Sequence, residues 1–186
     1  MRLMKHLIKF IFVSSLALLN VAAPALADTA TEMELEARRG LRDLYASTPA
    51  ALALSKTAKG VLVFPSITKG GFIVGGQYGD GVLFENNEVK GFYNTAAASF
   101  GLQAGVQKFG YALFLMSDSD LKYLRNSEGW EIGVGPTITI VDVGMANSLT
   151  TTTARSGVYA FFFEQRGLMA GLGLQGSKIT KIKPEA

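Results

Sequence analysis

The sequence predicts an α+β fold in which N-terminal helices precede a strongly curved, mostly antiparallel, glycine-rich β-sheet, with a barrel-like sheet as its extreme form. Two observations support this prediction. Apolar residues recur at helical spacing in 31–60, and after residue 60 they alternate or form short runs typical of strands. Nearly all of the 21 glycines lie in that second part, where glycine favours bends and bulges in a sheet.

The first 27 residues are expected to be a cleaved secretory signal peptide. Basic residues at the start are followed by the apolar run 10–21 and by Ala25-Leu26-Ala27, a small-residue cleavage site. The apolar run is shorter than the roughly 20 residues of a membrane-spanning helix, although an uncleaved anchor is the alternative. We therefore expect one secreted domain, residues 28–186.

Removal of the signal peptide changes the chemistry of the chain. Of the 18 Lys and Arg residues three lie in the signal peptide, which leaves 15 to balance the 15 Asp and Glu residues. The basic character of the full chain is therefore no reason to expect nucleic-acid binding. The single histidine, His6, is lost and there is no cysteine. Thiol and imidazole chemistry are therefore excluded, and we expect no metal or cofactor; the groups that remain for chemistry are carboxylates, lysine, tyrosine and hydroxyls.

Two helices are predicted at the start of the domain. Residues 31–45 have the capping-box spacing of Thr31 and Glu34 and an apolar residue every three or four positions. Thr48-Pro49 then restarts a helix that is expected to end near Gly60. The apolar stripe of the first helix is Met33, Ala37, Leu41 and Leu44. Its arginines, interpreted as complements of the helix dipole, are Arg38, Arg39 and Arg42.

An antiparallel meander is predicted over 61–93. Gly79-Asp80-Gly81 is interpreted as a hairpin turn between strands 72–78 and 82–85, and Asn86-Asn87 as the next turn. Further strands are predicted at 100–106, 111–116, 131–145 and 158–164.

A short helix and two kinds of side chain complete the prediction. Ser117 to Asp120 are expected to cap a helix with Leu121 and Leu124 on its buried side. Residues 147–156 are predicted to be a loop or an exposed edge. The run 161–163, three phenylalanines, is expected to be buried on both faces of a strand. Four carboxylates are interpreted as helix caps or turn residues: Asp118, Asp120, Glu128 and Glu131. The alternative is that two of them form an acid–base pair.

One glycine spacing recurs at 71–75, 101–105 and 167–171. A separation of four predicts that both glycines of a pair lie on one face of a strand, so 167–176 is interpreted as a curved strand. The last copy leads into Gly171-Leu-Gly-Leu-Gln-Gly176, the spelling of a dinucleotide-binding loop. Only ten residues follow Gly176, too few for the second strand and the acidic residue of such a site. No nucleotide is therefore expected.

The stretch AKGVLVFPSITKGGFIVGGQYGDGVLF, residues 58–84, resembles the signature of the SYLF-domain family. The resemblance continues in SFGLQAGVQ at 99–107, GWEIGVGP at 129–136 and GLMAGLGLQGS at 167–177. It implies lipid binding, notably of phosphoinositides, and no enzyme activity. Fungal members also bind actin, and many bacterial members carry a signal peptide.

These observations together predict a non-enzymatic protein of the bacterial periplasm, peripheral to a membrane, that binds an anionic phospholipid or a phosphoinositide-like lipid. Lysine and arginine around an apolar surface suit a phosphate headgroup. The predicted lipid-binding residues are Lys56, Lys59, Lys69, Arg166, Lys178 and Lys181. Two alternatives remain: an envelope protein-interaction or structural module, and a small outer-membrane β-barrel. The barrel is disfavoured because helices come first and the strands look shorter than 9–11 residues.

Overall fold

The computed structural model describes residues 29–71, 74–100, 105–141, 149, 157–166, 174 and 176–185. The predicted signal peptide and nearly all of the predicted loop 147–156 lie outside these residues. The helices are α1 (Ala30–Ser47), α2 (Pro49–Ser55) and α3 (Asp118–Asn126). The strands are β1 (Gly60–Gly71), β2 (Val74–Glu85), β3 (Glu88–Phe100), β4 (Gly105–Leu115), β5 (Trp130–Glu131), β6 (Ile138–Val141), β7 (Val158–Arg166) and β8 (Lys178–Ile182).

The eight strands form one sheet in the order β5-β8-β3-β2-β1-β4-β7-β6, curled into a half-barrel. All neighbours are antiparallel except β6 and β7. The predicted α+β class with a curved, mostly antiparallel sheet is therefore confirmed. The central order β3-β2-β1-β4 is a Greek key. Strands β3 and β4 are consecutive in the sequence, with only four residues between Phe100 and Gly105, but they are not neighbours in the sheet.

The sheet has two buried faces because its central strands alternate large apolar side chains. On β1, Val61 and Val63 pack on the face covered by α1 and α2, called the helix face. Leu62 and Phe64 pack on the opposite face, called the tryptophan face, against α3 and Trp130. The phenylalanine run 161–163 is divided between the two faces, as predicted.

The helix ends differ from the prediction by a few residues. The capping box of α1 is formed by Thr29 and Glu32, whose carboxylate accepts a hydrogen bond from the Thr29 amide at 3.0 Å. The predicted Thr31 cap is therefore two residues too late. Helix α2 ends at Ser55 and not near Gly60, because the Lys59 amide already donates to Leu115 in the sheet.

The predicted hairpin turn Gly79-Asp80-Gly81 is wrong, because β2 runs through these residues without a break. The turn at Asn86-Asn87 is confirmed, and both asparagines have positive φ. The glycines at 79 and 81 are explained by the neighbouring strand and not by a turn. Strand β1 carries an extra residue between Phe64 and Ile67, which is a β-bulge relative to both β4 and β2. A Cβ at Gly79 would lie 2.5 Å from the Ser66 carbonyl oxygen of this bulge.

The recurrent glycine spacing does not place both glycines on one face of a strand. Gly71 and Gly75 are register partners on neighbouring strands, and Gly71 also pairs with Gly105. The prediction is therefore wrong for the first pair, because the spacing of four closes a hairpin there. The other two copies lie largely outside the described residues.

Two predicted strands near the C-terminus are also corrected. Residues 131–145 do not form one strand, because the turn 132–136 separates β5 from β6 and contains two glycines with positive φ. After Gly176 a five-residue strand, β8, does fit and pairs with β3. Leu174, Gly176 and Ser177 lie outside any strand, which contradicts the predicted curved strand at its described end.

Helix α3 begins with the predicted cap, and its loss gives a first testable effect. The Ser117 hydroxyl oxygen accepts a hydrogen bond from the Asp120 amide at 3.2 Å, and Leu121 and Leu124 are buried. Ser117→Ala should lower the free energy of unfolding by about 1 kcal/mol. Ser117→Gly should lower the free energy of unfolding by only a few tenths of a kcal/mol, because glycine leaves the amides of the first turn accessible to water. Urea unfolding followed by circular dichroism measures both; equal losses would contradict the capping role.

Candidate functional site

A cavity of about 460 Å³ opens between α1, the segment joining α2 to β1, and the β2–β3 hairpin. We call it the basic pocket. It is lined by Arg38, Leu41, Arg42, Tyr45, Ser55, Lys56, Ala58, Gly60, Val61, Phe84, Asn86 and Asn87. The lining contains three cations and no carboxylate. Such a recess suits an anionic group better than a cationic one.

Arg38 is the fixed wall of the basic pocket. Its Nε donates to Glu34 at 2.8 Å, while Nη1 and Nη2 donate to the Asn87 side chain and carbonyl at 3.0 and 3.1 Å. The guanidinium carbon lies 4.8 Å from the centre of the Phe84 ring, within cation–π range. Four contacts hold this side chain, so it joins α1 to the hairpin and its charge is already shared with Glu34.

Arg42 and Lys56 are the other two charges of the basic pocket. Both side chains are exposed, and neither forms an ion pair within 4 Å in the described part of the chain. Arg42 lies one helical turn after Arg38 on the same side of α1, and Lys56 caps the end of α2. Among the described residues, these two cations have no ion-pair partner and are therefore available to a ligand.

The floor of the basic pocket is apolar. Val61 and Phe84 are buried in the helix-face core, and Leu41 and Tyr45 pack partly against it. Burial raises the pKa of the Tyr45 phenol, and a hydrogen bond with Ser55 offsets this rise only in part. The phenol is therefore neutral at physiological pH. A ligand here meets aliphatic and aromatic surface below and positive charge above.

A second cavity, also about 460 Å³, lies beside the other flank of α1 and has the opposite character. Its lining contains Glu36 and Asp80 and no basic residue. Helix α1 therefore separates an acidic cavity from a basic one. The full lining is Met33, Glu36, Pro65, Ser66, Thr68, Gly70, Gly76, Gln77, Tyr78, Gly79 and Asp80.

Only one of the six predicted lipid-binding residues, Lys56, lines the basic pocket. Lys59 is close by in sequence, but its Nζ lies 3.6 Å from an Asp118 carboxylate oxygen. Lys69 is near the opposite end of β1 and pairs in register with Gln77 and Gln107.

The other three predicted residues lie on strands away from β1. Arg166 ends β7. Lys178 and Lys181 lie on β8, which β3 and β2 separate from β1. The structure therefore does not gather the six residues into one patch, and their individual roles stay predictions.

Sequence reasoning missed most of this pocket. The interpretation of Arg38 and Arg42 as complements of the helix dipole is wrong, because no basic residue lies in the last turn of α1. Their spacing of four beside the apolar stripe is a signal that they share one edge of the buried face. The local sequence does not indicate that Phe84 and Asn87 line the pocket. They do so because Arg38 packs against them, and Asn87 is 49 residues from Arg38.

These features define a single-sheet α+β domain with a cation-lined surface pocket. Residues 96–185 match the model of the Ysc84 family, described as "Las17-binding protein actin regulator". This match confirms the resemblance to the SYLF-domain family over the C-terminal part of the chain. The match does not extend to residues 38–87, which line the basic pocket. A comparison with curated proteins finds no match.

The described residues also show neither a membrane-spanning helix nor a metal-binding cluster. No helix among them combines the length and the hydropathy needed to cross a membrane. Nor do they contain a group of three or more His, Cys, Asp or Glu side chains arranged to hold a metal ion.

Proposed function

We propose that this chain is a non-enzymatic lipid-binding protein of the bacterial periplasm, and that the basic pocket receives the headgroup of an anionic phospholipid. The observation that carries the proposal is that Arg42 and Lys56, which form no ion pair with the described residues, lie over an apolar floor. The match of residues 96–185 to the family model supports a binding role in general.

The size of the basic pocket favours a headgroup over a whole lipid. Its 460 Å³ lies in the lower half of the range for pockets that enclose drug-sized ligands, about 300–1,000 Å³. Its floor residues Val61 and Phe84 are at most 8% exposed, so little apolar surface remains for acyl chains. We infer that a phosphate and its glycerol carbons enter the pocket while the chains stay in the bilayer.

The attraction is electrostatic and therefore moderate. Each lysine or arginine near an anionic surface contributes about 1 kcal/mol, and salt screens the contribution over about 10 Å at 0.1 M. Arg38 contributes less than this because Glu34 already shares its charge. Binding should accordingly weaken as the salt concentration rises.

The double variant Arg42→Ala with Lys56→Ala tests the proposal. Loss of two cations should remove about 2 kcal/mol, an approximately 30-fold loss of affinity for anionic vesicles. Cosedimentation of the chain from residue 28 with anionic and with neutral phosphatidylcholine vesicles measures this loss. The matched control is Lys122→Ala with Lys183→Ala, which removes two exposed lysines elsewhere.

The controls separate the possible outcomes. Equal losses in both double variants would show that net charge, and not the basic pocket, drives binding. A loss confined to Lys178→Ala with Lys181→Ala would move the site to β8. Recovery that is equal with anionic and neutral vesicles, and insensitive to salt, would overturn anionic-lipid binding altogether.

A second candidate function is binding of an envelope protein partner. The family description, which names a Las17-binding protein, favours this candidate because it refers to a protein ligand. Capture of one defined envelope protein by the purified domain, with no recovery on vesicles, would favour it over lipid binding. The same Arg42→Ala with Lys56→Ala variant then shows whether the basic pocket contributes to that interface.

A further inference from the structure

The outer side of α2 is apolar, although this helix lies at the surface of the domain. Helix α2 has the sequence PAALALS and contains no charged residue. Ala50, Ala51 and Leu54 are buried in the helix-face core. On the opposite side Pro49 and Leu52 are exposed. The outer side of a surface helix normally carries charged or polar residues, so the composition of α2 indicates contact with something other than water.

Leu52 lies at the edge of the basic pocket. Its side chain is 42% exposed, and it precedes Lys56 by four positions, which places the two residues on the same side of the helix. The Leu52 carbonyl accepts a hydrogen bond from the Ser55 hydroxyl at 2.8 Å. Because Ser55 and Lys56 both line the basic pocket, α2 forms one of its walls and Leu52 stands beside the opening.

The charges near Leu52 suit an anionic surface. Arg42 and Lys56 form no ion pair with the described residues. The contact between Lys59 and Asp118, at 3.6 Å, is solvent-exposed and therefore weak. Asp43 is the carboxylate closest to α2 in the sequence and does not line the pocket. Exposed aliphatic surface beside unpaired cations is the chemistry by which a protein recognises the interface of an anionic bilayer.

The position of the headgroup determines what Leu52 meets. If a lipid phosphate occupies the basic pocket and the acyl chains stay in the bilayer, the first methylene groups of those chains lie just outside the opening. Amphipathic protein elements enter the boundary between headgroups and chains by about 5–10 Å. An exposed leucine at the opening would there exchange water for methylene groups, which is favourable.

We propose that the outer side of α2 is a membrane-contact surface, and that Leu52 enters the interfacial region of an anionic bilayer while Arg42 and Lys56 bind the headgroup. This inference rests on the proposed function and adds to it the element that faces the membrane. It also separates two contributions to binding. The contribution of the cations is screened by salt, whereas that of Leu52 is not.

Leu52→Ala tests the apolar contribution. Alanine removes the partly exposed side chain beyond Cβ, and the affinity for vesicles of phosphatidylglycerol and phosphatidylcholine should fall about fivefold. The same loss is expected at every salt concentration at which binding is measurable. The matched control is Val106→Ala, because Val106 is 64% exposed and pairs with Gly70 at the end of β1 away from the pocket. Cosedimentation of the chain from residue 28 measures both variants.

A fluorescent label locates the side chain directly. The chain contains no cysteine, so Leu52→Cys and Val106→Cys each provide a single attachment point for nitrobenzoxadiazole. With the same vesicles, the emission of the label at position 52 should shift to shorter wavelength and be quenched by lipids that carry a nitroxide. The label at position 106 should show neither effect.

The results separate this inference from the proposed function. A label at position 52 that stays in water on vesicle-bound protein would overturn the membrane contact of α2, and a protein partner would then be the better occupant of this surface. If Arg42→Ala with Lys56→Ala still abolished binding in that case, the headgroup pocket would stand. A label that enters the bilayer in this double variant as it does in the unmodified background would support the contact of α2 and overturn the pocket. Absence of cosedimentation by the unmodified chain would overturn both.

Discussion

Replacement of Gly81 by alanine should strongly destabilise the fold. A Cβ at this position would lie 2.6 Å from the Val63 carbonyl oxygen and 2.5 Å from Phe64 Cδ1. The carbonyl belongs to the central strand β1 and Phe64 is completely buried, so neither atom can move without disturbing the core. We expect a loss of about 3 kcal/mol or more, at or beyond the upper end for overpacked cores. Urea unfolding of the purified variant measures the loss.

Gly76→Ala is the matched control on the same strand. Its Cβ would meet only the Ala97 carbonyl oxygen at 3.5 Å, an ordinary contact. Alanine restricts the unfolded chain more than glycine does, so this variant should be neutral or more stable by up to about 1 kcal/mol. Similar losses for Gly76→Ala and Gly81→Ala would show that strand glycines matter through some general property and not through the approach of β1.

Trp130→Ala should have an effect of comparable size. The indole is completely buried, its Nε1 donates to the Val134 carbonyl at 3.1 Å, and its ring packs edge-on against Tyr123 at 6.1 Å between centroids. Truncation leaves a large cavity under the 132–136 turn and removes the hydrogen bond that holds the turn. The expected cost is about 3–5 kcal/mol. Trp130 is the only tryptophan of the chain, so the variant has no tryptophan fluorescence to follow. Far-ultraviolet circular dichroism during urea unfolding is therefore the suitable probe.

Trp130→Phe separates packing from hydrogen bonding. Phenylalanine retains an aromatic ring on the tryptophan face but cannot donate to Val134. Its cost should therefore be clearly smaller than that of alanine. If Trp130→Phe and Trp130→Ala were equally destabilising, the hydrogen bond to the turn, and not the buried ring, would dominate.

The helices and the core were predictable because they depend on local periodicity. Met33, Ala37 and Leu44 recur at helical spacing and are all buried, and Ser117 caps α3 where its spacing to Asp120 indicates. Such features are visible in sequence because the residues that interact are three or four positions apart.

The turn at Gly79-Asp80-Gly81 shows where local reasoning fails. Glycine is selected for two distinct reasons, a positive φ or the absence of a Cβ, and a sequence does not distinguish them. At Asn86 and Asn87 the positive φ is the cause, and the turn prediction succeeds. At Gly79 and Gly81 the cause is a bulge in another strand, some 15 positions away.

The basic pocket was only partly predictable for a related reason. Lys56 was selected as a cation near an element boundary, which is a local property. The arrangement that makes it useful depends on Arg38 reaching Asn87 and on Phe84 lying under that arginine. The sequence identifies Lys56 as a cation, whereas its position beside Arg38 and Arg42 over an apolar floor is a property of the folded chain.

The short connection between β3 and β4 sets a tolerance for changes in chain length. Phe100 and Gly105 lie three strand spacings apart, about 14 Å along the sheet. Five peptide steps reach at most about 18 Å, and four reach about 14 Å. An inserted residue can be absorbed as slack, whereas a deletion leaves none and would pull a strand end out of register. This connection is therefore a place where the fold should accept insertions and reject deletions, in engineered variants and in natural sequences alike.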